Sequence, residues 1–274
     1  MARETFMFAS SDGDNKIEVK DIVFGCGIRN TGFTESAEDN LVAGNFGLGP
    51  GDNSFLRQKL SLTKGRFSYC FLPWDVAHKS PVFLRFGSDI PKRKDLKSTP
   101  LLTKPGVSDH FVNLLGISVG NTRLNIPQKM FGQSSKRNSG CIVDSGSYMT
   151  RLPRTVYNKL TQTLMTNHFS GNEPTQIGQF GFCYFFPSGK DIKELPDITF
   201  HLQGSDLVFP PRQGFIDLDA GNGDSFFCLA MMPYDIEGER VIVIGGFQQA
   251  NIRFVFDTVK QKLYFGPEDC SRDG

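Results

Sequence analysis

The sequence has one tryptophan, four histidines and no long apolar run. With no stretch of 18 apolar residues, it offers no candidate for a hydrophobic membrane-spanning helix. His78, His110, His168 and His201 are scattered, with no Cys-x-x-Cys pair and no Cys/His ligand spacing, so no metal site is expected. Neither charge dominates: 30 Lys and Arg against 29 Asp and Glu leave +1, which favours neither nucleic acid nor an anionic membrane as a partner. The one basic run, Pro91-Lys92-Arg93-Lys94, reads as a solvated loop ahead of a strand. Met1-Ala2-Arg3-Glu4-Thr5 lacks the apolar segment of a signal peptide, and no Asn-x-Ser/Thr acceptor occurs.

What is present is a chain of 274 residues, enough for roughly one to two domains at about 100–200 residues each. Its 26 Phe point to a large aromatic-packed core. Six cysteines, an even count, fit disulfides and an oxidising compartment. Cysteine usage and the missing signal peptide conflict, and a natural protein that continues upstream of Met1 reconciles them.

Most of the chain reads as short strands between Gly, Pro and Asn turns, which argues an all-β fold with a few short helices. Strands are expected at 17–24, 67–72, 82–86, 111–119, 198–202, 207–209, 225–231, 241–244, 252–257 and 262–265, with a hairpin turn at Gly120-Asn121. Ser54 caps a short helix over 55–60. Pro153 opens a longer one that presents Val156, Tyr157, Leu160, Leu164 and Phe169 on one face. The stretches 132–138 and 171–179 read as surface loops.

The stretch that carries chemistry is Cys141-Ile142-Val143-Asp144-Ser145-Gly146-Ser147-Tyr148, an apolar strand running into Asp-Ser-Gly-Ser. This has the form of half of a two-carboxylate hydrolytic centre. Such a centre needs two carboxylates sharing one proton, because like charges about 3 Å apart cannot both ionise. One acts as general base on a water while the other polarises the carbonyl. No second Asp-Thr/Ser-Gly occurs in the sequence. Alone, Asp144-Ser145-Gly146 would read as a plain turn; the strand before it and the helix after it give it weight. A faint repeat adds to this: Gly44-Asn45-Phe46-Gly47-Leu48-Gly49 parallels Val241-Ile242-Val243-Ile244-Gly245-Gly246 in role, as if one such element served each of two lobes.

Phe24-Gly25-Cys26-Gly27, Gly47-Leu48-Gly49, Phe67-Ser68-Tyr69-Cys70, Ile117-Ser118-Val119-Gly120, Asp144-Ser145-Gly146-Ser147, Cys183-Tyr184, Cys228-Leu229-Ala230 and Ile244-Gly245-Gly246-Phe247-Gln248-Gln249 follow one another in an order that resembles the plant pepsin-like aspartic endopeptidases of the nepenthesin type. The resemblance implies a bilobal pepsin-like fold whose first lobe is incomplete here, with residues 1–97 its remnant and 98–274 the C-terminal lobe. It places Asp144 as the second catalytic aspartate. Ser145, Gly146 and Ser147 support it in the loop, Gly146 by allowing the tight turn, and Ile244 and Gly245 cross behind. It implies disulfides Cys183–Cys228 and Cys70–Cys270, leaving Cys26 and Cys141, the former with a partner expected outside this stretch. The family's first Asp-Thr-Gly-Ser loop and its flap are absent, and 2–8 is similar to the strand after the flap. The complete enzyme is expected to be a monomer that cleaves protein or peptide at acidic pH. It needs no cofactor and would work in the apoplast, another extracellular space or the vacuole.

Other classes are weighed on the same residues. Gly116-Ile117-Ser118-Val119-Gly120 matches the Gly-x-Ser-x-Gly elbow of serine hydrolases, but that elbow needs a helix after the strand and a hairpin is expected here. Gly25-Cys26-Gly27 and Gly47–Gly51 complete no nucleotide-binding pattern. A homodimer with one Asp per chain would need far fewer residues. A non-catalytic binding protein of the same fold, such as an inhibitor of glycoside hydrolases, is the second reading. This chain with one Asp motif is expected to be inactive alone.

Overall fold

Alternation of apolar and polar residues gives twenty strands among the described residues of the computed structural model, which are 1–10, 16–28, 44–77, 82–104, 106–131, 139–169, 173–236 and 240–272. In chain order they are β1 Ala2–Ala9, β2 Lys16–Phe24, β3 Arg66–Cys70, β4 Arg85–Phe86, β5 Lys97–Pro100, β6 Phe111–Val112, β7 Leu114–Val119, β8 Thr122–Arg123, β9 Ser139–Val143 and β10 Thr150–Pro153. The second half adds β11 Thr175–Ile177, β12 Phe180–Phe186, β13 Ile198–Leu202, β14 Ser205–Phe209, β15 Phe215–Gly221, β16 Asp224–Leu229, β17 Met231–Tyr234, β18 Arg240–Ile244, β19 Ile252–Asp257 and β20 Lys262–Pro267. Helices are short, α1 Phe55–Gln58, α2 Leu60–Thr63 and α4 Pro211–Gly214, apart from the 14-residue α3 Arg154–Asn167.

Five sheets result: β1-β2, β17-β10-β18-β9-β6, β11-β12-β16-β15, β14-β13-β7-β8 and β4-β3-β19-β20-β5. The last is antiparallel throughout and joins strands from both ends of the chain, with Phe67 of β3 opposite Phe256 of β19 and their rings stacked at 4.4 Å. The boundary expected at 97/98 falls inside β5, so this sheet draws strands from both sides of it. One buried cluster runs from Leu56, Phe67 and Tyr69 to Phe254, Phe256 and Phe265. A satellite of Val19, Ile22 and Phe55 lies under the β1-β2 hairpin.

Several expectations are corrected. The strand expected over 111–119 is two: Phe111 and Val112 pair with β9, while Leu114–Val119 pairs with β13 and β8, so the chain changes sheet at Asn113. Of 82–86 only Arg85–Phe86 is strand, where β3 supplies a partner. The helix expected over 55–60 splits into α1 and α2, with Ser54 Oγ accepting from Arg57 N–H as expected. Within 171–179, Thr175–Ile177 is a strand that pairs with β12, and 132–138 lies outside the described residues. The basic run is more than a solvated loop. Arg93 pairs with Asp95 and donates to a Glu268 oxygen at 2.5 Å. β15 was not foreseen, because its outer positions are mostly exposed; Asn222-Gly223 after it was the available hairpin signal. α3 buries Val156, Tyr157, Leu160 and Leu164 and packs against β10, β17 and β7.

Glu268 is the polar anchor of the five-stranded sheet that joins the chain ends. Both its oxygens accept from Arg253, whose side chain is only 2% exposed, and Arg93 adds a second guanidinium. Burial would raise the Glu268 carboxyl, but the hydrogen bonds from Arg253 and Arg93 hold it below the usual carboxylate range. A depressed folded-state pKa contributes stability that is present above the unfolded value of about 4.3 and lost as pH falls through the folded one. Glu268→Ala is expected to cost about 1.5–3 kcal/mol at neutral pH, the scale of hydrogen bonds between charged groups that are partly buried. The difference from wild type should shrink below about pH 4 in urea unfolding; an unchanged gap at pH 3 and pH 7 would refute the assignment.

Candidate active site

The Asp144 loop is made by two parallel strands and a crossing. β9 and β18 run side by side with Val143 opposite Ile244. One residue on, Asp144 N–H donates to Ile244 O at 3.1 Å. The half-buried carboxylate then closes its own turn: Oδ1 accepts from Gly146 N–H at 2.9 Å and Oδ2 from the Ser147 hydroxyl at 2.7 Å. Ser145 and Gly146 are exposed beside it. Gly146 does not use the left-handed backbone that a tight turn suggested. The constraint there is proximity, since a Cβ would stand 3.2 Å from Asp144 Oδ1.

Behind the loop, Gly245 passes so close to Met149 that a Cβ would lie 2.3 Å from the Met149 carbonyl carbon. The segments zip together there: Gly246 N–H donates to Ser147 O at 2.7 Å, Phe247 N–H to Tyr148 O at 2.8 Å, and Gly245 N–H to Thr150 Oγ1 at 3.2 Å. The sequence reading gave the next two residues no role. Gln248, fully buried, accepts from Thr150 N–H at 2.8 Å and donates to Gln213 O and Ala230 O at 2.9 and 2.7 Å. Gln249 donates to Ile244 O at 2.8 Å, the carbonyl that also receives Asp144 N–H, and accepts from the Tyr69 hydroxyl. A short relay thus leads from Tyr69 on β3 to the backbone of Asp144. Burial pushes the Tyr69 phenol well above its ordinary range, and the Asp144 charge adds to it. Its position in Phe67-Ser68-Tyr69-Cys70 was visible in the sequence, but its partner was not.

His110 is a second unforeseen support. It packs tilted against the stacked Phe67 and Phe256 rings, and its Nε2 faces Leu48 O at 2.9 Å. A carbonyl only accepts, so Nε2 carries the proton. Burial lowers the His110 pKa, opposed by the Leu48 bond and the charges of Asp109 and Asp144. His110 O accepts Val143 N–H at 3.0 Å, so one residue ties Gly47-Leu48-Gly49 to the strand that delivers Asp144.

Two cavities of about 290 Å³ each flank Ser145. One is lined by Phe46, Leu48, Tyr69 and Leu84, the other by Leu72, Trp74, Tyr148 and Phe247, and Phe71 and Val82 border both. Trp74 is exposed and meets Tyr148 edge to face at 5.2 Å. Apolar walls around a few polar groups suit a ligand with apolar side chains. Among the described residues, no group of three His, Cys, Asp or Glu is placed to hold a metal ion.

Both implied disulfides are present. Cys183 and Cys228 sit opposite each other on β12 and β16, and Cys70 joins Cys270 across 200 residues. Cys26 is exposed and free. Cys141, within β9, is buried, and burial pushes its thiol pKa up, away from reactivity.

The sheets, the Asp144 loop and the crossing behind it define a mostly-β, pepsin-like protein. A family model described as xylanase inhibitor C-terminal matches residues 109–267, and one described as xylanase inhibitor N-terminal matches residues 1–88. The chain is 32% identical over 276 residues to aspartyl protease AED1 of Arabidopsis thaliana, covering 98% of this chain and 53% of the relative. It is 29% identical over 274 residues to aspartic proteinase nepenthesin-1 of Nepenthes gracilis, covering 98% and 57%. It spans about half the length of the curated relatives it matches. Two solved structures share the fold: edgp (TM-score 0.76, 18% identity, 99% of this chain and 71% of that one) and conglutin gamma, a basic 7S globulin from lupine seeds (TM-score 0.74, 20% identity, 96% and 67%). The chain belongs to the plant pepsin-like aspartic protease family, together with the xylanase-inhibitor domains that its two halves match.

Gly245→Ala tests the crossing. The added methyl meets backbone that it cannot displace cheaply, so a loss of at least about 2 kcal/mol is expected, within the range for overpacking. The check is a lowered urea midpoint at unchanged slope; a midpoint equal to wild type would show that the crossing tolerates a side chain.

Proposed function

We propose that Asp144 is one carboxylate of an aspartic peptidase dyad whose second carboxylate lies outside these 274 residues. The observation that carries this reading is the Asp144 carboxylate itself, held by Gly146 N–H and the Ser147 hydroxyl and followed in the chain by Ser145, which lines both apolar cavities. Ser145 and Ser147 shape the loop, and Ile244 and Gly245 hold it from behind. With its partner, Asp144 would share one proton, activate water and cleave a peptide whose apolar side chains fill the flanking cavities. An acidic optimum follows, because one carboxylate must be protonated while the other is ionised. No cofactor enters this chemistry. Residues 1–97 belong on this reading to a first lobe and 98–274 to the second, the whole acting as a monomer. Two disulfides fit an extracellular or vacuolar setting.

A second reading, a binding protein that holds polypeptide in the same cleft without cutting it, is favoured by one observation. Both family models that the chain matches are described as xylanase inhibitor domains.

Acid-pH cleavage of a denatured protein substrate separates the two. The 274-residue chain alone is expected to show no turnover above that of its Asp144→Asn variant. The protein isolated from its natural source is expected to cleave, and Asp144→Asn in that full protein to reduce kcat by about 10⁴-fold or more, the scale for losing one member of a catalytic set. Cleavage by the full protein that survives Asp144→Asn would overturn the peptidase assignment. A full protein with no turnover would leave the binding reading standing.

A further inference from the structure

The outer face of the sheet β14-β13-β7-β8 carries a set of groups that the Asp144 site does not use. Ser118 Oγ stands 2.7 Å from His201 Nε2, and His201 Nδ1 stands 2.9 Å from Asp206 Oδ1. The sheet register produces this. His201 on β13 lies opposite Gly116 of β7 on one side and Asp206 of β14 on the other, and Ser118 is the next outward-facing residue of β7. The alternate residues Ile117, Val119, Phe200 and Leu202 point into the core. A carboxylate only accepts, so Nδ1 carries a proton toward Asp206, and a ring with that single proton presents its Nε2 lone pair to the Ser118 hydroxyl. Those are the nucleophile–base and base–orienter bonds of a serine triad, which is recognised by geometry and roles, not by chain order.

Arg123 completes the set. It lies opposite Ser118 on β8, and its guanidinium rests over Gly116, where a Cβ would come within 2.4 Å of Nη2. The missing side chain at Gly116 makes room for that charge beside His201. Arg123 Nη2 donates to Leu115 O at 2.8 Å, and no carboxylate among the described residues pairs with it. A cation beside a serine hydroxyl is suited to stabilise a developing oxyanion. The Gly-x-Ser-x-Gly pattern seen in the sequence therefore has no elbow, since β7 turns back into β8 as a hairpin, yet the fold delivers the histidine and carboxylate that the pattern lacked.

We propose that Ser118, His201, Asp206 and Arg123 form a second reactive centre, an esterase-type site for small carboxylic esters. Ser118 is 7% exposed, opposite the exposed Arg123 on β8, so the substrate is taken to carry a small acyl group. In the reaction, Ser118 Oγ bonds to the ester carbonyl carbon while His201 Nε2 takes the hydroxyl proton, and Arg123 faces the oxyanion. Collapse breaks the carbon–oxygen bond to the alcohol, which leaves with the proton from His201. Water, activated by the same nitrogen, then releases the carboxylic acid and restores Ser118. This inference is independent of the Asp144 reading.

The test is covalent labelling at neutral pH with a fluorophosphonate, which forms a Ser118 oxygen–phosphorus bond and expels fluoride, followed by peptide mapping. Native protein is expected to carry the label on Ser118, and heat-unfolded protein to carry none. Ser118→Ala should remove the label, and His201→Gln should slow labelling by about 10²–10⁴-fold, the usual worth of a general base. Asp206→Asn should slow it less, with the same circular dichroism as wild type. Absence of label on Ser118 under conditions that fully label a known serine esterase overturns the proposal. So does labelling at an unchanged rate in folded His201→Gln.

Discussion

The structure depends on one close crossing, that of Gly245 behind Met149. Two segments of backbone approach to a distance that leaves no volume for a side chain. At that distance, hydrogen bonds join residues 246–247 to 147–148 on one side and Asp144 to Ile244 on the other. The Asp144 carboxylate is thus positioned by backbone, the least mobile part of a protein, and its own two donors finish the geometry within the loop. A buried polypeptide crossing is costly unless its N–H and C=O groups find partners. Gln248 and Gln249 meet that requirement: their amides serve as donor and acceptor to five groups on five segments, Thr150, Gln213, Ala230, Ile244 and Tyr69.

The same relay explains how the first quarter of the chain reaches the site. Tyr69 comes from β3, which pairs with β19 in the sheet that joins the chain ends. At the end of β20 in that sheet, Glu268 bridges Arg253 and Arg93, and Cys70–Cys270 ties β3 to residue 270. Leu48 reaches the site by a second route through His110. Any shift of β3 relative to β19 would pass through Tyr69 and Gln249 to the carbonyl that holds Asp144. The site and that sheet are one mechanical unit even though the residues involved are up to 200 apart in sequence.

Local signals were legible in the sequence because they are local. Asp144-Ser145-Gly146-Ser147 after an apolar strand, Ser54 as a cap, Pro153 before an amphipathic helix and Gly120-Asn121 as a hairpin each act over a few residues. The order of motifs along the chain then gave the fold and both disulfides. What escaped was non-local. Nothing near Asn113 announces that one apolar run divides between two sheets, because either half reads as strand. Gln248, Gln249, Tyr69 and His110 are polar residues whose roles exist only through partners brought in by folding, and no periodicity marks them. Arg93 looked like one basic residue of a surface run until Glu268 arrived from the other end of the chain.

Scaffold and chemistry are separable here for a physical reason. Every interaction that builds the Asp144 loop is internal to the described residues: the parallel pair β9 and β18, the crossing at Gly245, the glutamine amides and the Ser147 hydroxyl. None requires a second carboxylate. A pepsin-like chain can therefore keep a well-formed half-site whether or not its dyad is complete, and the same fold can be a seed globulin in one plant protein and match named proteases in others. On the proposed reading, the loop holds Asp144 ready for a partner carboxylate without depending on one for its own geometry.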